Sequence, residues 1–146
     1  MKRFVIATDG SEGAGQSLEQ GFALASTVGA EVSVVYVRPS PNSFLGASYY
    51  QDVIIEEARH ARTVIDDAKV RASRYGVEVD YEVLEGDPVD TVLALARSRD
   101  ADLLVVGSRG LGTVSSVVLG SVSRAILNQA NCPVLVAKTP ARVTAA

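Results

Sequence analysis

Leu103-Leu104-Val105-Val106-Gly107-Ser108-Arg109-Gly110 is followed, after the nine residues 111–119, by Gly120-Ser121-Val122-Ser123-Arg124-Ala125-Ile126-Leu127. Four consecutive apolar residues make a short buried strand. A loop punctuated by glycine follows, and a helical pattern resumes at Ala125. Glycine has no Cβ, so backbone N–H groups beside it can approach an anion closely. A helix start offers unpaired N–H donors and a partial positive charge, and Ser121 and Ser123 add hydroxyls there. Strand, glycine loop and helix start in this order form a phosphate site. A loop that only turned the chain would be shorter and would not need glycine at 107, 110, 112 and 120. A cap alone would need one hydroxyl.

Outward from this stretch the chain alternates strand and helix. Phe4–Ala7 is a short apolar run. Leu18, Phe22 and Ala25 have helical spacing within 12–28, and Gly29 ends that segment. Glu31–Val37 is β-branched and reads as a strand, and residues 38–49, with Pro39, Pro41, Asn42 and Gly46, read as a loop. Ile54, Ala58, Ala61, Ile65, Ala68, Ala72 and Tyr75 step by four and three, which predicts a long helix over about 50–75 stopped by Gly76. Val77–Val83 alternates apolar and charged, as a half-exposed edge strand does. Asp87-Pro88 is a cap followed by proline at the first helical position. The last elements are a helix over 121–130, a strand over Pro133–Ala137 and a tail over 139–146. Alternation of this kind predicts one α/β domain over 1–146, with an open five-stranded parallel sheet and helices on both faces. Such sheets bind ligands beyond the carboxyl ends of their strands, where the strand order reverses. The loop after Val106 and the turn Thr8-Asp9-Gly10-Ser11 both fall at such ends.

Bulk composition narrows the function. The net charge is −3, from 14 basic and 17 acidic residues, which argues against a nucleic-acid binder. No apolar run reaches the roughly 20 residues that span a bilayer, so no membrane partner is expected. The N-terminal residues enter a strand pattern with no signal-peptide layout. A single cysteine, Cys132, allows no internal disulfide and suits a reducing compartment, so the expected location is the cytoplasm.

Other chemistries find little footing. No Gly-Lys pair exists for a Walker loop, Gly110-Leu111-Gly112 misses the dinucleotide fingerprint, and no Gly-x-Ser-x-Gly elbow occurs. No metal-ligand spacing is present. His60, the one histidine, falls on the polar side of its helix, and Cys132 reads as an inert buried thiol. Asp9 has two readings: a cap for the helix near Ser11, or a carboxylate for a ribose hydroxyl or an adenine amino group.

Gly107-x-x-Gly110, nine residues, then Gly120-Ser121 resembles the hallmark of the universal stress protein family, in its ATP-binding branch. The flanks Ala101–Gly107 and Asn131–Val136 and the opening Val5–Ser11 are similar too. The resemblance covers about residues 3–138. It implies a Rossmann-like sheet of strand order 3-2-1-4-5 and a homodimer, with residues 133–138 as the exposed edge. It implies that Ala7, Thr8 and Asp9 line adenine and ribose, that Val37 meets adenine through its backbone, and that Val106 and Gly107 lie beside the ribose. Gly110, Gly120, Ser121, Val122 and Ser123 would hold the phosphates, with Arg109 at a position the family varies. The expected ligand is ATP, with magnesium arriving only on the triphosphate; AMP and a cyclic nucleotide remain open. The expected role is a nucleotide-dependent switch or sensor in the stress response. A slow ATPase or phosphotransferase with Ser121 or Ser123 as acceptor is the alternative, and a scaffold with an empty loop is another. No catalytic residue is assigned.

Overall fold

Strands and helices alternate along the chain as β1 (Arg3–Thr8), α1 (Glu12–Val28), β2 (Glu31–Arg38), α2 (Ala47–Ala72), β3 (Val79–Glu85), α3 (Pro88–Ser98), β4 (Leu103–Gly107), α4 (Ser121–Gln129) and β5 (Val134–Ala137). This is a computed structural model, and it describes residues 2–40, 46–108 and 119–138. All four strand pairings are parallel, and the order is β3-β2-β1-β4-β5, as expected. The tail over 139–146 lies outside the described residues.

Each central strand is apolar on both faces because helices cover both. On one face Phe4, Ile6, Val32, Val34 and Val105 pack under Leu18, Phe22 and Ala25 of α1 and Ala68 and Ala72 of α2. On the other, Val5, Val35, Leu104 and Val106 pack under Val92, Leu93 and Leu95 of α3 and Ile126 of α4. Phe22 is fully buried, and truncating such a ring to alanine costs about 3–5 kcal/mol. Gly21 lets α1 lie close on the sheet: a Cβ there would strike the Ile6 side chain.

Two expectations shift. The edge strand β3 starts at Val79, two residues later than the alternation predicts, and keeps its half-exposed pattern. The long helix starts at Ala47, and among its described residues Ala61, Val64, Ala68 and Ala72 are buried, while Ile54 and Ala58 are exposed. With 26 residues α2 is about 39 Å long, whereas the eight residues of β2 span about 26 Å. The first half of α2 therefore has little sheet to pack against.

Candidate functional site

The strand order reverses between β1 and β4, and a crevice of about 350 Å³ opens at their carboxyl ends. Its lining contains Ala7, Thr8, Asp9, Val37, Val106, Gly107, Gly120, Ser121, Val122 and Ser123. Of the residues singled out from sequence, Arg109 and Gly110 lie outside the described residues. Five more lining residues, Ala14, Val35, Pro88, Val92 and Ile126, were not singled out. Pro88 follows from topology: it opens the helix after β3, at the same edge of the sheet. The other four depend on which way side chains point across packed elements.

Three of the helices that begin at this edge line the crevice, and their starts differ. At α1, Ser11 is the cap, its hydroxyl accepting from the Ala14 N–H at 3.1 Å. Asp9 is thus not the cap; its Oδ1 accepts the Ser11 N–H at 2.9 Å and fixes the turn, and the carboxylate stays exposed. Gly10 in this turn has φ +77°, a left-handed conformation that favours glycine, and a Cβ there would press on Val64. At α3, the Asp87 side chain accepts from the Asp90 N–H at 2.9 Å, and Pro88 brings no N–H. At α4, the cap is Gly120 and no side chain among the described residues caps the helix. Gly120 has φ −60° and ψ 157°, which any residue adopts. What glycine supplies there is the lack of a side chain, which leaves the N–H groups of the first turn without a cap from that residue.

The sheet register adds an acceptor. In a parallel ladder a residue turns both its N–H and its C=O to one neighbour, and successive residues alternate. Glu31 donates to the Lys2 carbonyl at 2.9 Å and Val32 to the Glu78 carbonyl at 3.0 Å, so odd residues of β2 face β1. Val37 is odd, but the ladder ends with Thr8 opposite Tyr36. The next bond would run from the Gly10 N–H to the Val37 carbonyl. Gly10 instead donates to Thr8 Oγ1 at 3.2 Å. Among the described residues the Val37 carbonyl is left open at the crevice.

Among the described residues the charge in the lining is that of Asp9. It is felt behind the sheet: burial raises the Tyr36 hydroxyl above its ordinary pKa, and the charges of Glu57 and Asp9 add to this. His60 is exposed, as its place on the polar side of the helix predicts, and its ring stands edge-on to Tyr36 with centroids 5.7 Å apart. Burial, then Asp102, raises the Cys132 thiol, which keeps it protonated and unreactive.

A doubly wound parallel sheet with a crevice at its switch point defines a Rossmann-like α/β domain. Residues 1–138 match the model of the universal stress protein family, and the chain belongs to that family. It is 33% identical to a universal stress protein of Methanocaldococcus jannaschii, over 95% of this chain and 83% of the relative. It is 33% identical to one of Thermus aquaticus, over 94% of this chain and 98% of the relative. Among solved structures, a universal stress protein in complex with cAMP is 26% identical with a TM-score of 0.74, over 92% of this chain and 95% of the other. Among the described residues no helix is long and apolar enough to cross a membrane.

Proposed function

We propose that the crevice binds an adenine nucleotide, ATP in the first instance, and that the protein acts as a nucleotide-dependent switch or sensor in the stress response, in the cytoplasm. The observation that carries this is the pairing, in one crevice, of an open carbonyl at Val37 with an uncapped helix start at Gly120. The carbonyl suits the exocyclic amino group of adenine; guanine, with an oxygen at that ring position, would meet it acceptor to acceptor. The helix start suits phosphate. Asp9 lies between them and accepts a ribose hydroxyl, flanked by Ala7, Thr8, Val106 and Gly107. Beside Gly120, whose own N–H is held by the Ser108 carbonyl at 2.8 Å, the N–H groups of Ser121, Val122 and Ser123 take the phosphates, with Arg109 and Gly110 in the same set by resemblance. Magnesium would enter on the phosphates, because Asp9 is the one carboxylate of the described lining and no group of three or more metal-ligating residues occurs among the described residues. The relative solved with cAMP supports an adenine nucleotide as the ligand class. The test is mass spectrometry of the gently purified, then denatured protein, followed by calorimetric titration with ATP, AMP and cAMP. An adenine nucleotide is expected in one or both. No released nucleotide and no heat with any of the three would sink the reading.

The same reading includes a homodimer across β5. This strand is an edge, and Val134, Leu135 and Val136 are only half-buried. Beside it, α1 exposes Leu24 and Val28 on the face from which Gln20 reaches the Lys138 carbonyl. An apolar edge of this kind is a template for a second chain, and a two-fold contact would be isologous. Leu104 donates to Pro133 and Ser108 to Ala137, so odd residues of β5 bond to β4 and the N–H groups of Val134 and Val136 point outward. Val136→Pro should therefore spare the sheet and remove an outward donor. Sedimentation should show a dimer for the wild type and a monomer for the variant. A wild type that is monomeric at high micromolar concentration would end the dimer reading.

A further inference from the structure

The strand ends that frame the crevice leave more than one carbonyl without a ladder partner. Whether each stays open is decided by a hydroxyl. On the β2 side, Thr8 Oγ1 holds the Gly10 N–H, which would otherwise close the Val37 carbonyl. On the β4 side, Leu104 and Ser108 donate to β5, so odd residues of β4, Gly107 among them, face the gap toward β1. The Gly107 carbonyl there accepts the hydroxyl of Ser123, from the first turn of α4. Across the gap, Ser17 donates to the Ala14 carbonyl at 2.7 Å and reaches the Ala7 carbonyl at 3.3 Å. Thr8 and Ser123 are each 7% exposed, and Ser17 is fully buried. Buried hydroxyls are hydrogen-bonded somewhere; the point is which carbonyls they close and which they spare.

We propose that the hydroxyls of Thr8 and Ser123 determine ligand specificity at the two ends of the crevice. Thr8 keeps the Val37 carbonyl open as an acceptor for an exocyclic amino group. Ser123 closes the Gly107 carbonyl, an oxygen whose partial negative charge would otherwise face an incoming phosphate. Ser123 is then a positioning residue: its hydroxyl acts on the backbone, and its N–H is what remains for the anion. This assignment rests on the nucleotide reading above and adds to it a reason for the base and a reason for the charge. Without Thr8 Oγ1 the Gly10 amide would be released toward the Val37 carbonyl, its partner in the ladder's register, and the ladder would extend by one bond.

Calorimetric titration of the full chain with AMP, IMP and adenosine separates the two roles. AMP and IMP differ at the exocyclic position, and AMP and adenosine differ in the phosphate. The wild type should prefer AMP over both. Thr8→Val should reduce the AMP-to-IMP preference about three- to tenfold, the worth of one neutral hydrogen bond, and leave AMP-to-adenosine alone. Ser123→Ala should do the reverse. Thr8→Ser and Ser123→Thr keep the hydroxyls and should restore each preference, so a general loss of folding in the first pair cannot imitate the result. If Thr8→Val and Ser123→Ala weaken all three ligands by one common factor, or leave both preferences unchanged, the assignment is overturned while nucleotide binding stands. A wild type that binds none of the three removes the nucleotide reading and this assignment with it.

Discussion

Helices α3 and α4 make an instructive pair. Both follow strands of one sheet, both start at its carboxyl edge, and both contribute to the lining of one crevice, through Pro88 and through Gly120 to Ser123. Their caps even share a backbone conformation: Asp87 has φ −70° and ψ 128°, Gly120 φ −60° and ψ 157°. The difference is chemical. Asp87 turns its carboxylate onto the Asp90 N–H, and Pro88 has no N–H to offer. Gly120 leaves the corresponding donors of α4 without a side-chain cap. A carboxylate cap already neutralises a helix start, whereas a glycine cap leaves its partial charge available to a ligand. The pair teaches that position in the fold makes a helix start a candidate for anion binding and that the cap residue decides whether it can act as one.

The strongest way to break this comparison is to give α4 the cap of α3. Gly120→Asp needs no change of backbone, because the torsions of Gly120 already suit aspartate. Its carboxylate would take the Ser123 N–H and bring a negative charge to the place proposed for phosphate. ATP affinity should fall at least about tenfold, or ~1.4 kcal/mol, and adenosine affinity much less. Stability against urea should hold or rise by a few tenths of a kcal/mol, since glycine and aspartate caps differ by about that much. Calorimetric titration and urea unfolding read the two effects. Undiminished ATP affinity would take the α4 start out of the site.

Much of this was legible in the sequence, for reasons that also mark where legibility stopped. The strand order and the crevice follow from alternation, because parallel strands joined by helices wind only a few ways. Thr8, Asp9, Gly107 and Gly120 could be placed at strand ends or helix starts with no knowledge of packing. Val92 and Ile126 could not, since their place in the lining depends on how α3 and α4 roll on the sheet. The period of Ile54 and Ala58 marked a helix but carried no information on whether the sheet extended far enough to bury them. Asp9 reads in sequence as a cap for the helix near Ser11, and Ser11, only two residues away, has a side-chain acceptor of its own; the structure gives Ser11 the helix and Asp9 the turn. Most opaque was the Ser123 hydroxyl. In sequence it is one more donor beside a phosphate loop. In the fold it is bonded to Gly107, sixteen residues away, a pairing set by how β4 ends and α4 begins.

The reciprocal change sharpens the comparison with a smaller effect. Asp87→Ala strips α3 of its cap and leaves the Asp90 N–H without its side-chain acceptor. The cost should be about 1 kcal/mol of stability, seen as a lower urea midpoint with an unchanged slope. ATP affinity should stay within about twofold, or ~0.4 kcal/mol. Uncapping α3 does not make it a second α4. Proline at its first position still lacks an N–H, and no serines open its first turn. If uncapping α3 changes ATP affinity tenfold in either direction, the phosphates reach α3 as well, and the division of labour between the two helix starts is wrong.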